Sequence, residues 1–243
     1  MIIEWLDSCR STNSELAART DAPGGFTVAT RCQTAGRGQR GNTWEAEPGA
    51  NLTFSQLLRP EAIVASRQFE LSMIVSLAIV DFVDGVFAEA SLPLRAAIKW
   101  PNDIYVGDKK ICGILIENTL TDRNIDRAIV GIGLNVNQTI FLSDAPNPAS
   151  LRTFTGREYS LEPMLESLCG AINRALAAYE AAPDPEALTA RYMSRLWRRD
   201  GVWPFVTADG ERFVASIESV GTDGMLTLSG NRRFAFKEVA FVL

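Results

Sequence analysis

Lysine is scarce in this chain and concentrated. Of 24 basic residues only four are lysines, and three of these, Lys99, Lys109 and Lys110, fall within a dozen positions of one another. There is no histidine at all, which removes the usual general base, the Ser-His-Asp and Cys-His pairs and the commonest zinc ligand. Chemistry here must therefore lean on cations, backbone donors and carboxylates. A second cationic element lies upstream, in the run Ala35-Gly36-Arg37-Gly38-Gln39-Arg40-Gly41. It matches Gly-x-Gly-x-x-Gly, but a dinucleotide fingerprint must open a helix that holds the pyrophosphate at its N-terminus. The following residues, Asn42 to Gly49 with Pro48 among them, cannot continue a helix, and no Gly-x-x-x-x-Gly-Lys-Ser/Thr exists anywhere. What remains is a glycine-rich loop whose Arg37 and Arg40 suit it to closing over an anion, with a plain solvated loop as the alternative.

Four further runs have types and spacing worth weighing. Lys99-Trp100-Pro101-Asn102-Asp103 ends one strand and begins another, with proline forcing an extended turn, and by itself it is equally an ordinary connector. Lys109-Lys110-Ile111-Cys112-Gly113 leads from a Gly107-Asp108 turn into an apolar strand, where a lysine is often only a solvated edge residue. Gly131-Ile132-Gly133-Leu134-Asn135 places glycines at alternate strand positions, which lets a ligand or another backbone approach one face. Ser11-Thr12-Asn13 precedes a helix and reads as a cap or as a polar cluster, while Trp44 and Trp100 are more often core than ligand platforms.

The whole chain restricts the surroundings of these groups. Its 243 residues are 47% apolar, enough for a full core and for one large domain plus a small one. A formal charge of −5 gives no global attraction for nucleic acid or anionic membrane, so affinity for phosphate must be local. Cys9, Cys32, Cys112 and Cys169 lie far apart without a Cys-x-x-Cys spacing and read as reduced thiols. No basic n-region opens the chain, and the apolar stretch Met73 to Val83 is interrupted by Asp81 and Asp84, too charged to span a bilayer. A cytoplasmic protein with neither DNA nor membrane as partner is expected.

The elements that must position these groups follow from periodicity. Strands are expected at Ile2 to Leu6, Phe26 to Thr30, Leu52 to Leu58, Ala97 to Trp100, Ile104 to Val106, Ile111 to Asn118 and Ala128 to Val136. Helices are expected from a Thr12-Asn13-Ser14-Glu15 capping box to about Arg19, from Arg67 to about Ala90, from Leu161 to Glu180 and from Pro185 to Trp197. Gln33 to Asn51 is a long loop. After Trp197 the texture changes to short strands, Trp203 to Thr207, Arg212 to Val220, Met225 to Ser229, Arg232 to Phe236 and Val239 to Val242, joined by Asp-Gly and Gly-Asn turns. The fold class is thus α/β (α+β): residues 1–197 form a domain with a mixed sheet flanked by helices, and residues 198–243 a small all-β SH3-like barrel. Edge strands of the main sheet are compatible with a homodimer.

Taken in order, Ser11-Thr12-Asn13, Gln33 through Trp44, Lys99 to Asp103, Lys110 to Leu115 and Gly131 to Asn135 resemble the catalytic domain of biotin-protein ligases, and the small barrel resembles that family's C-terminal domain. The likeness covers nearly the whole chain, in the short form without an N-terminal DNA-binding domain. Many relatives read Gly-Arg-Gly-Arg-Arg-Gly-Arg in the loop, where this chain has Gln39 and Asn42. The resemblance implies an enzyme that joins biotin to ATP, with Mg²⁺, as biotinyl-5′-AMP and passes biotin to a lysine of a biotin carboxyl carrier protein. It implies biotin-binding roles for Ser11, Thr12, Asn13, Gln33, Gly36, Arg37, Trp44, Lys110, Gly113, Gly131 and Gly133. It implies ATP-binding roles for Arg37, Gly38, Arg40, Trp44, Lys99, Asn102, Lys110 and Asn135.

Lys110, Arg37 and Asp103 are the expected catalytic residues, with Asp103 also toward Mg²⁺ carried by ATP. Carboxylate and α-phosphate repel, and each cation-anion contact at 4 Å is worth about 4 kcal/mol at an effective dielectric near 20. A lipoate-protein ligase of related fold is the nearest competing reading. A non-catalytic ligand- or peptide-binding module is a second, but it leaves the lysine cluster unexplained.

Overall fold

A computed structural model describes residues 1–39, 43–142 and 147–242. Its largest feature is a seven-stranded mixed sheet in the order β1-β2-β3-β7-β6-β5-β4. The strands are β1 (Ile3–Cys9), β2 (Thr27–Gln33), β3 (Leu52–Leu58), β4 (Ala96–Lys99), β5 (Asp103–Val106), β6 (Lys109–Thr121) and β7 (Asn124–Leu134). Only β1 and β2 run parallel, and the other neighbours are antiparallel. Every residue of β3 is buried, because this central strand is covered on both faces and therefore reads apolar at both parities.

One face of the sheet carries α2 (Phe69–Glu89), α4 (Leu161–Ala181) and α5 (Pro185–Ser194), while the short α1 (Thr12–Ala17) lies on β2, β3 and β7. The helix α2 is apolar on nearly every side, as expected of a helix enclosed by other elements. Contrary to the sequence expectation, Asp81 and Asp84 do not disqualify it by composition: its 21 residues are long and apolar enough to cross a membrane. It is instead a core helix, packed against α4, α5, β4 and β5, and Asp81 and Asp84 reach outward to Arg191 and Arg195.

Three local expectations are corrected. Ser11, not Thr12, is the residue before α1, and no side chain caps that helix because the Thr12 hydroxyl is engaged with Gln33 and Ser55. The stretch Arg212 to Val220 is two strands, β9 (Arg212–Ala215) and β10 (Ile217–Val220), which belong to different sheets and turn at Ser216. Between β7 and α4 stands an unexpected helix, α3 (Leu151–Thr155), with a Ser150–Thr153 capping box and left-handed Gly156 at its end.

The remaining strands, β8 (Trp203–Thr207), β11 (Leu226–Leu228), β12 (Arg232–Phe234) and β13 (Val239–Phe241), complete two three-stranded antiparallel sheets with β9 and β10. They form the SH3-like barrel. Its apolar interior, with Phe205, Leu226 and Leu228, is continuous with the main core. The indole of Trp100 donates to Gly224 O at 3.1 Å, which fixes the barrel against the end of β4.

Candidate functional site

A cavity of about 830 Å³ opens between the α1 face of the sheet, the glycine-rich loop and the barrel. Fourteen of the sequence-derived site residues line it. They are Ser11, Thr12, Asn13, Gln33, Arg37, Gly38, Trp44, Lys99, Asn102, Asp103, Lys110, Gly113, Gly131 and Gly133. Gly36 and Asn135 do not reach it, and Arg40 lies outside the described residues. Lys109, the third lysine of the cluster, is exposed and away from the cavity.

Lys110 reaches the cavity through a defect in the sheet. The β5–β6 register shifts between Ile104 and Tyr105, so that Ile104 faces Cys112 but Tyr105 faces Lys110. With strict alternation Lys110 would share the face of Cys112 and Ile114, toward α2. The extra residue, Ile111, turns Lys110 onto the face of Asp103 and Gly113. There its Nζ lies 2.6 Å from Asp103 Oδ1, both side chains mostly buried. Its backbone is clamped on the other side by Lys110 N donating to Asn147 O and Ala149 N donating to Lys110 O, each at 2.9 Å.

Lys99 is held differently. Its ammonium lies over the rings of Tyr105, Trp197 and Phe241 at 5.0, 5.9 and 5.8 Å. Burial pushes its pKa below the ordinary lysine value, opposed by Asp103 and assisted by the positive charges of Lys110 and Arg198. The aromatic faces favour the cation. Among the described lining residues, Arg37, Lys99 and Lys110 are the cations and Asp103 the sole carboxylate, so the cavity is net positive within a net-negative protein.

The opposite end of the cavity is a hydrogen-bonded polar network. Gln33 Oε1 accepts from Thr12 N at 2.9 Å, and Ser55 Oγ lies 2.7 Å from Thr12 Oγ1 and 2.6 Å from Asn13 Oδ1. Asn13 Nδ2 donates to Glu117 Oε2 at 2.6 Å, and Glu117 in turn pairs with Arg37 at 3.2 Å. Ser55 and Glu117 were missed from sequence. The available signal was a hydroxyl and a carboxylate placed inside otherwise apolar strands. Ser11 is buried and lines the same end of the cavity.

The glycines act through close packing. Gly113 and Gly133 are direct cross-strand partners, and Gly131 opposes Leu115. A Cβ at Gly133 would fall inside the indole of Trp44, one at Gly113 would lie 3.1 Å from it, and one at Gly131 would run into the Asn13 amide. Close approach to this face of the sheet, expected of alternate glycines, is made here by the Trp44 and Asn13 side chains. The buried Trp44 Nε1 has no acceptor, and Lys110 Nζ lies 5.7 Å from the indole centroid. Gly36 serves the same packing, since a Cβ there would meet the Trp44 carbonyl while Gly36 O accepts from Trp44 N at 3.1 Å.

Asn102 is partly committed to structure: its Nδ2 donates to Ile114 O at 2.7 Å and its carbonyl accepts from Ile114 N at 2.9 Å. Asn135 is wholly inside, donating to Ala149 O at 3.0 Å. No group of three or more His, Cys, Asp or Glu suited to a resident metal occurs among the described residues, and Asp103 is already paired with Lys110.

The model of the biotin/lipoate A/B protein ligase family matches residues 5–135. A biotin--[acetyl-CoA-carboxylase] ligase from Paracoccus denitrificans is 34% identical over 197 residues, which cover 74% of this chain and 77% of that protein. The bifunctional ligase/repressor BirA of Bacillus spizizenii is 36% identical over 133 residues, 55% of this chain but 39% of its own length. The chain thus spans well under half of that relative. In three dimensions, the biotin protein ligase from Aquifex aeolicus in complex with biotin and ATP superposes with a TM-score of 0.79 at 22% identity, covering 99% of this chain and 98% of that one. At that identity the likeness is one of fold.

Proposed function

Because this chain belongs to the biotin/lipoate A/B protein ligase family, we propose that it is an ATP-dependent biotin-protein ligase. It forms biotinyl-5′-AMP and pyrophosphate, then transfers biotin to a lysine of a biotin carboxyl carrier protein. The observation that carries this reading is the convergence of Arg37, Lys99 and Lys110, from three separate segments, on one cavity that also holds a hydrogen-bonded polar network.

Adenylation brings a carboxylate against a phosphate, and that repulsion is offset where cations stand between them. Lys110 lines the cavity together with the other cations, and Asp103 fixes its ammonium in place. Arg37 lies on the loop that covers the cavity, and Lys99 supplies a second cation toward the barrel side. Mg²⁺ bound to ATP adds charge neutralisation at the phosphates. In the second step a neutral lysine amine attacks the acyl carbon, the C–N bond forms, and AMP leaves with the electrons of the anhydride C–O bond. Asp103 is the carboxylate placed to take the proton released from nitrogen.

The polar end separates biotin from lipoate. A ureido group has two donors and an acceptor that can exchange hydrogen bonds with the polar groups of Ser11, Thr12, Asn13 and Gln33, whereas a dithiolane makes no such bonds. Isotopic ATP–pyrophosphate exchange tests the reading: exchange should be stimulated by biotin and not by lipoate. Exchange stimulated by lipoate alone, or by neither acid, would refute it.

A further inference from the structure

A second cavity, of about 450 Å³, adjoins the first. The two share Gln39, Pro101, Asn102, Ile114 and Phe236 as common walls. Beyond this junction the second cavity is enclosed by Phe69, Ser72 and Ser76 of α2, Ile116 and Asn118 of β6, and Met225 of the β10–β11 turn.

Its chemistry is opposite to that of the first. No lysine or arginine lines it among the described residues, and its one charged lining group is Asp223, which also pairs with Arg233. Two buried acceptor oxygens in its walls lack partners. Ser76 is fully buried with no hydrogen bond at Oγ, and Asn118 Oδ1 is orphaned although its Nδ2 donates to Gln68 at 3.0 Å. Buried acceptors left empty cost stability, so such a pair marks a place for a donor from outside. Phe69, Ile116 and Met225 offer apolar wall for an aliphatic stem.

We propose that this second cavity is the entry route of the acceptor lysine. The proposal rests on the ligase reading and names the path of its second substrate. A protonated side chain is repelled by Arg37, Lys99 and Lys110 of the first cavity but finds acceptors and, among the described residues, no cation in the second. It loses one proton to solvent water and then meets the acyl carbon at the Asn102 junction. There nitrogen bonds to the acyl carbon, the anhydride C–O bond breaks, AMP departs with that electron pair, and the second proton leaves through Asp103.

Two single substitutions, Ser72→Trp and Met225→Trp, fill the cavity without touching the first one. Purified full-length variants with wild-type circular dichroism and melting are assayed three ways: biotin-dependent ATP–pyrophosphate exchange, biotin transfer to a purified carboxyl carrier domain, and hydroxamate formation with hydroxylamine. Exchange and hydroxamate formation should stay within about twofold of wild type, while kcat/KM for the carrier domain falls about tenfold or more. Wild-type transfer to the carrier domain in both folded variants overturns the route. Equal loss of carrier and hydroxylamine reactivity overturns it too, since a small nucleophile does not need a lysine-shaped channel. Absence of exchange in the unaltered protein would instead refute the ligase reading itself.

Discussion

Trp44 and Lys99 show how single residues here trade stability for a working cavity. The Trp44 indole packs against the paired Gly113 and Gly133, where a Cβ on either glycine would meet it. On the ligase reading Trp44 covers the bound biotin ring, so saturating biotin should change the tryptophan emission, and Trp44→Phe should remove that change; an unaltered response in the variant would place the ring elsewhere. Lys99 is buried against aromatic rings with its pKa lowered from 10.5. Between that lowered value and the ordinary one, the unfolded chain binds more protons than the folded protein, so stability rises with pH across the window. Burial of Lys99 thus costs stability below the window, and the cost fades above it. Lys99→Met should be more stable than wild type in urea at pH 7 and lose the pH-dependent rise, while adenylation falls about tenfold or more. A variant with lower stability and full activity would contradict both halves.

Secondary-structure elements position these side chains, and here the sequence was unevenly legible. The strands β3 and β8 and the start of α4 were read at their observed ends, because apolar periodicity and flanking turns define them. The bulge at Ile111 was not legible, since a one-residue register shift leaves no trace in composition, yet it aims Lys110 into the cavity. Among the site residues, motif position located half of the cavity lining; Asn135 does not line the cavity and its Nδ2 donates to Ala149 O, and motif position missed Ser55 and Glu117, whose roles exist only through their partners. The helix α1 supplies a further test. It carries Thr12 and Asn13, lacks a side-chain cap, and is anchored at its far end by Arg127, whose Nη2 donates to Leu16 O at 2.8 Å and Arg19 O at 3.0 Å. Arg127→Ala should cost about 1–2 kcal/mol by chemical denaturation and raise KM for biotin with kcat nearly unchanged. A fall in kcat at constant KM would argue that the helix does not serve the biotin end.

At the scale of the whole molecule, a chain of net charge −5 encloses a cavity in which, among the described residues, three cations face one carboxylate. The sheet delivers Lys110, the β4 end delivers Lys99 and the loop delivers Arg37, while the barrel closes the side through Phe236 and Phe241. Global charge thus gives no attraction for anions, and local architecture supplies it. The most direct test of this arrangement is biotin-dependent ATP–pyrophosphate exchange in the Lys110→Ala variant, with folding verified by melting. Removing the ammonium should lower exchange by about 100-fold or more, while biotin binding, which rests largely on the polar network, is retained in part. Exchange at the wild-type rate in a folded Lys110→Ala protein would contradict the assignment of charge stabilisation to this cavity.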